Sequence, residues 1–154
     1  MPLRRHRDPE RALAPTWPQR DGSQPHVLIE HPDPTTRQVL ADGLQTRGYA
    51  VLTCGGPRAA GMTEVSCPLL RQQHCPGVDG ADVVFCSLPL RGVLERVIIR
   101  RIARNPGDRS LIVEAAPQEA EKYLDEVLVD GTVAPLTVAN VATALGELDS
   151  ACRS

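Results

Sequence analysis

VLIEHPDPTTR, residues 27–37, carries two adjoining signals. Val27 to Glu30 is a short apolar run of the kind that fills a covered strand. His31-Pro32-Asp33-Pro34 then reads as a turn. Asp33 suits a helix N-cap, and Pro34 suits the first helical position, where a missing N–H costs nothing. Val39, Leu40 and Leu44 give the following helix one apolar face, and Gly48 closes it. A strand that opens into a helix at its carboxyl end is the unit from which parallel sheets are built.

The same unit recurs downstream. Tyr49 to Cys54 (YAVLTC) is a second strand, and Ala81 to Leu88 (ADVVFCSL) a third. The third strand does not alternate, so both its faces are expected to be covered. Leu90, Leu94, Val97, Ile98 and Ile102 fall at helical spacing, and Asn105-Pro106-Gly107 stops that helix. Ser110 to Ala115 is a fourth strand. Pro117 opens a helix whose inner face holds Ala120, Tyr123 and Leu124. Glu126 to Gly131 (EVLVDG) is read as strand five. A last helix spans Leu136 to Leu148, with Val138, Val141, Leu145 and Leu148 inward. Strand–helix alternation at this spacing implies an α/β domain with a parallel sheet and right-handed crossovers.

Composition narrows the function. The chain has 154 residues, a net charge of -2 and 42% hydrophobic residues, enough for one domain with a core. Without a general basic field, and with only 3% aromatics, it lacks the electrostatic and stacking surfaces of a nucleic-acid binder. No apolar run approaches the roughly 18 residues of a membrane span, and the N-terminus lacks a signal-peptide core. A cytoplasmic protein is expected. Lys122 is the only lysine, and with abundant Ala and Pro this arginine bias suggests a high-GC bacterial coding sequence. Residues 1–25 carry prolines at 2, 9, 15, 18 and 25 and read as a disordered leader with one tryptophan, Trp17, free to dock. The domain is expected to run from 26 to 149, followed by a tail at 150–154.

No glycine fingerprint or P-loop follows the first strand, which excludes the common nucleotide sites. Nor is there a GxSxG elbow for a hydrolase. Arg91, Arg96, Arg100, Arg101 and Arg104 give the third helix a basic face, either simply solvated or able to meet an acidic partner.

The Cys/Gly/Pro-rich insertion from 54 to 80 is the other unusual feature, with one helical turn expected near Leu69-Leu70-Arg71. Cys54 ends strand two, and Cys67 and Cys75 follow within the insertion. Folded back over the sheet's carboxyl edge, these three could join His74 or His31 in a tetrahedral zinc site. With Cys86 they could hold an iron–sulfur cluster, and Cys67 with Cys75 could form a redox pair. The spacing contains no CxxC, however, and plain packing is the more direct reading, above all for Cys86 within its apolar strand. Cys152 falls in the tail.

Three segments, VLIEHPDPTTRQVLADGLQTRGYAV, GADVVFCSLPL and VAPLTVANVATALGEL, together resemble the receiver domain of bacterial response regulators over about residues 26–149. The resemblance implies a flavodoxin-like three-layer sandwich with a five-stranded parallel sheet in the order 2-1-3-4-5. It also implies where a receiver's chemistry would stand. The phosphoacceptor aspartate falls on Ser87, the acidic metal-binding pair on His31 and Pro32, the lysine on Ala134, and the switch Ser/Thr on Glu114 or Ala115. None of these keeps the family's residue. The expectation is therefore a degenerate receiver with no catalytic residue and no cofactor, acting through contact with a protein partner or as a homodimer. The alternative is a metal or thiol-redox sensor built on Cys54, Cys67 and Cys75.

Overall fold

The structure is a computed structural model, and it describes residues 17, 24–57, 67–104, 109–127, 133–136, 146, 148–150 and 152. Ten elements run in the order β1 (His26–Glu30), α1 (Pro34–Thr46), β2 (Ala50–Cys54), a 3-10 turn (Pro68–Arg71), α2 (Pro76–Asp79), β3 (Val83–Cys86), α3 (Val93–Arg104), β4 (Ser110–Glu114), α4 (Pro117–Val127) and β5 (Val133–Leu136). The five strands form one parallel sheet in the order β2-β1-β3-β4-β5, as the resemblance implied.

Side-chain alternation sorts the sheet into two cores. Val27, Ile29, Val83, Phe85 and Ile112 pack with Leu40 and Leu44 of α1 and with Leu148. Leu28, Val84, Cys86, Leu111 and Val113 pack with Val78 of α2, with Ile98, Ile99 and Ile102 of α3, and with Val127 of α4. Helices thus cover both faces, which is why β1 and β3 read as continuous apolar runs.

Asp33 caps α1 as expected, its carboxylate accepting from the Thr36 N–H at 3.0 Å, with Pro34 in the first turn. Within α1 the inward face is Leu40, Ala41 and Leu44, whereas Val39 is 46% exposed. The expected apolar face was therefore one position too wide, because the 3.6-residue period rotates Val39 past the edge of the buried stripe.

Strand five needs a correction. Glu126 and Val127 belong to α4, and the strand is Val133–Leu136. The apolar pair at 127–128 imitates a strand start. Val127 in fact continues the Ala120–Tyr123–Leu124 helical spacing and is fully buried. Pro135 is tolerated because β5 pairs only with β4 and lies at the sheet's edge. Most of the expected last helix, 137–145 and 147, lies outside the described residues, as does the 105–107 stop. Leu148, Ser150 and Cys152 are helical, and Cys152 packs against the α1-side core. The expected tail boundary at 150 thus falls inside helical backbone. The Tyr49 hydroxyl donates to Asp149 and ties this helical segment to the start of β2.

The insertion contains the expected turn, realised as the 3-10 turn, and adds α2, which sequence reading did not anticipate; residues 58–66 lie outside the description. Among the described residues, no helix is long and apolar enough to cross a membrane.

Most of the expected leader lies outside the described residues, but Trp17 is docked on the domain. Its indole Nε1 donates to the Gly77 carbonyl at 2.8 Å, and its ring stacks on His26 with centroids 4.4 Å apart and planes 13° apart. The backbone of Gly80 forms the floor beneath it, and a Cβ there would run into the indole. Trp17 is the only tryptophan, so its emission reports this dock alone. Gly80→Ala is expected to red-shift the emission toward that of solvated indole and to lower stability by about 1 kcal/mol through lost aromatic packing; unchanged emission would contradict the dock.

Candidate functional site

The register of the sheet builds the carboxyl edge in two rows. Cys54, Glu30, Cys86 and Val113 lie side by side across β2, β1, β3 and β4. One residue later in β1, β3 and β4 come His31, Ser87 and Glu114. Successive residues face opposite sides of a sheet. The first row therefore serves the α2–α3 side and the second the α1 side.

The first row centres on a buried acid. Glu30 is 4% exposed, and the Cys86 thiol donates to its Oε2 at 3.5 Å. Burial pushes the Glu30 carboxyl from 4.5 up to about 7, with the Cys86 hydrogen bond opposing in part. Cys54, Cys67 and Cys75 all lie within electrostatic range of the same carboxyl. The insertion thus does fold its cysteines back toward the edge. Burial drives the Cys54 thiol up to about 12 and raises Cys67 and Cys75; Cys86 is raised further by burial and by Glu30. All are free thiols, held in the protonated form that binds metal and attacks disulfides poorly. Among the described residues, no group of three or more His, Cys, Asp or Glu is arranged to hold a metal ion. The His74 side chain is 89% exposed and faces Asp79 at 3.5 Å.

In the second row the Ser87 hydroxyl donates to Glu114 Oε1 at 2.8 Å. The Ser87 N–H donates to the Glu30 carbonyl at 2.8 Å and the His31 N–H to the Cys54 carbonyl at 3.0 Å, extending the sheet's ladder past the strand ends. His31 Nδ1 accepts from the Asp33 N–H at 3.0 Å. Burial lowers the His31 pKa, against the opposing pull of nearby Glu114 and Asp33, which favours the neutral imidazole. Asp33, its pKa depressed by the hydrogen bonds from Thr36, serves the α1 cap. Pro32 is exposed and adds no donor atom. Ala134 lies opposite Ile112 in register, two residues short of the Glu114 level.

The comparisons with known proteins agree with this architecture. No family profile matches the sequence, and no curated protein does. Solved structures do match. A response regulator from Thermotoga maritima superposes with a TM-score of 0.54 at 15% identity, covering 86% of this chain and 100% of that one. A CheY-like receiver domain from Methanospirillum hungatei gives 0.54 at 10% identity, with 85% and 95% covered. The chemotaxis protein CheY4 of Vibrio cholerae gives 0.52 at 17% identity, with 84% and 99% covered. The fold is that of a response-regulator receiver domain. At these identities the likeness establishes the receiver-like fold, and the chemistry of the edge rests on the residues found there.

The sequence identifies Glu30 only as the end of the first strand and does not place it among thiols. The signal was present as parity: Leu28 and Glu30 share a face, as do Val84 and Cys86.

The buried acid generates a pH test. The folded chain holds the Glu30 proton more tightly than the unfolded chain does. Its stabilising contribution is therefore complete below about 4.5 and is lost as pH rises through about 7. At about 1.4 kcal/mol per pH unit, the loss is of order 3 kcal/mol at most. Denaturant unfolding should show the native protein losing stability between about pH 4.5 and 7 and levelling off above that. Glu30→Gln should flatten the profile and be the more stable form at the alkaline end. An equal slope in both proteins would contradict the buried, proton-holding carboxyl.

Proposed function

We propose that this receiver-like domain is a non-enzymatic signalling module that acts in the bacterial cytoplasm through protein–protein contact, with a partner or with a second copy of itself, and without accepting a phosphoryl group. The observation that carries this reading is the hydrogen bond from Ser87 to Glu114. By the receiver resemblance, Ser87 holds the phosphoacceptor position. Its hydroxyl is directed at a carboxylate, so a phosphoryl group there would sit against a negative charge with a neutral imidazole nearby. Phosphoryl transfer depends on compensating that charge.

The donor set points the same way. Magnesium requires hard oxygen ligands in a near-octahedral arrangement. His31 offers a nitrogen, Pro32 nothing, and Asp33 is committed to the helix cap, while Glu30 turns to the opposite face among thiols. These residues do not fit the ion. Free thiols in every described cysteine accord with a reducing compartment.

The convergence of Cys54, Cys67, Cys75 and Cys86 on Glu30 favours a second reading, a thiol or metal sensor. Burial keeps those thiols protonated, which makes it the weaker of the two.

Incubation with acetyl phosphate and magnesium, followed by intact-mass analysis, tests the first reading. The mass should remain that of the unmodified chain. A phosphoryl adduct that disappears in Ser87→Ala would overturn it.

A further inference from the structure

The basic face of α3 is not uniformly solvated. Arg96 pairs with Glu126 at 3.1 Å, donates to the Leu90 carbonyl at 2.7 Å and lies over the Tyr123 ring at 4.5 Å. Arg100 donates to the Glu126 carbonyl at 3.0 Å. Those two arginines brace α3 against its neighbours. Arg101 and Arg104 face the other way, into an open cleft of about 360 Å³ formed with Leu69, Gln72, Gln73 and His74.

This cleft has the features of a built anion site. Residues 101 and 104 are one helical turn apart, so their guanidinium groups occupy one face. Arg101 is held in place by donating to the Leu69 carbonyl, which leaves its remaining N–H groups in a fixed orientation. Arg104 is exposed and has no partner among the described residues. On the opposite wall the chain passes through Gln72 in the left-handed region, φ 58°. The Gln72 N–H donates to the Leu69 carbonyl and the Gln73 N–H to the Pro68 carbonyl, so both amide side chains spring from a backbone pinned to the 3-10 turn. No acid is among the described residues that line the cleft, and Asp79 faces His74 at 3.5 Å. Two forked guanidinium groups and two amides suit an oxyanion bound by several N–H donors, and a cleft of this volume leaves room beyond the phosphate for an attached organic body. The volume lies in the range of small-ligand sites and is too small for a folded partner.

We propose that this cleft binds a phosphate-bearing small molecule, a phosphomonoester in preference to inorganic phosphate. The site shares none of its residues with the Ser87 edge, and it does not depend on how that position is read. A ligand there bridges α3 to the turn that leads into Cys75 and α2. It would give the module a chemical input that needs no phosphoryl transfer.

Amide NMR titrations of the full chain with inorganic phosphate and with O-phosphoserine, at constant ionic strength, test the site. Saturable shifts should centre on Gln72, Gln73, His74 and Arg104, with phosphoserine the tighter ligand. Equal affinities, or tighter binding of inorganic phosphate, would overturn the preference for a phosphomonoester. Arg104→Gln should weaken binding by about tenfold or more, the scale of one lost charged hydrogen bond, with its remaining spectrum unchanged. Three results would overturn the proposal: no saturable shift, an affinity unaffected by Arg104→Gln, or preference for an Asp/Glu-rich peptide over both phosphates.

Discussion

Everything in this molecule is referenced to β1, which pairs with β2 and β3 at once. Val27 to Glu30 are all at most 4% exposed, so the strand is fixed by both neighbouring strands, and its alternate residues by one helical layer or the other. A slip of one residue would exchange the two cores. It would also carry Glu30 out of the thiols and onto the Ser87 side. The position of every group at the carboxyl edge, and hence any chemistry there, follows from that register.

The consequence is an edge divided by parity. On one side a carboxyl is buried with thiols, and burial raises its pKa to about 7. On the other, a serine hydroxyl is satisfied by Glu114. A phosphate-triggered switch needs its acids, cation and acceptor on one side together. On the reading proposed here, Glu30 is spent as a core residue and Glu114 as a hydrogen-bond acceptor. The receiver-like frame then persists as a shape for contact.

Much of the frame was legible because its determinants are local or periodic. The apolar runs at 27–30 and 83–86 and the Asp33–Pro34 helix start identified their elements directly, as did the spacing of Ile98 and Ile102. Strand five was misplaced because Val127 satisfies a strand pattern and a helix pattern equally, and only burial against α3 and β4 decides between them. Val39 was assigned inward because hydrophobicity, unlike rotation about the helix axis, carries no direction. The site was less legible for a different reason. The Ser87–Glu114 hydrogen bond spans 27 residues and the Cys86–Glu30 contact 56, and neither leaves a spacing motif. The Arg101–Arg104 cleft depends on where the insertion's 3-10 turn comes to rest, which no periodicity predicts. Trp17 was readable as a residue able to dock, but its seat over Gly80 required the folded chain.

On the reading proposed here, the edge beside Ser87 does not bind a divalent cation, because Asp33 caps α1 and Glu30 faces the thiols. Manganese(II), a paramagnetic substitute for magnesium, tests this directly. Its addition should produce no saturable broadening of the His31, Ser87 and Glu114 amide resonances. Saturable broadening confined to those residues, reversed by excess magnesium, would contradict the account.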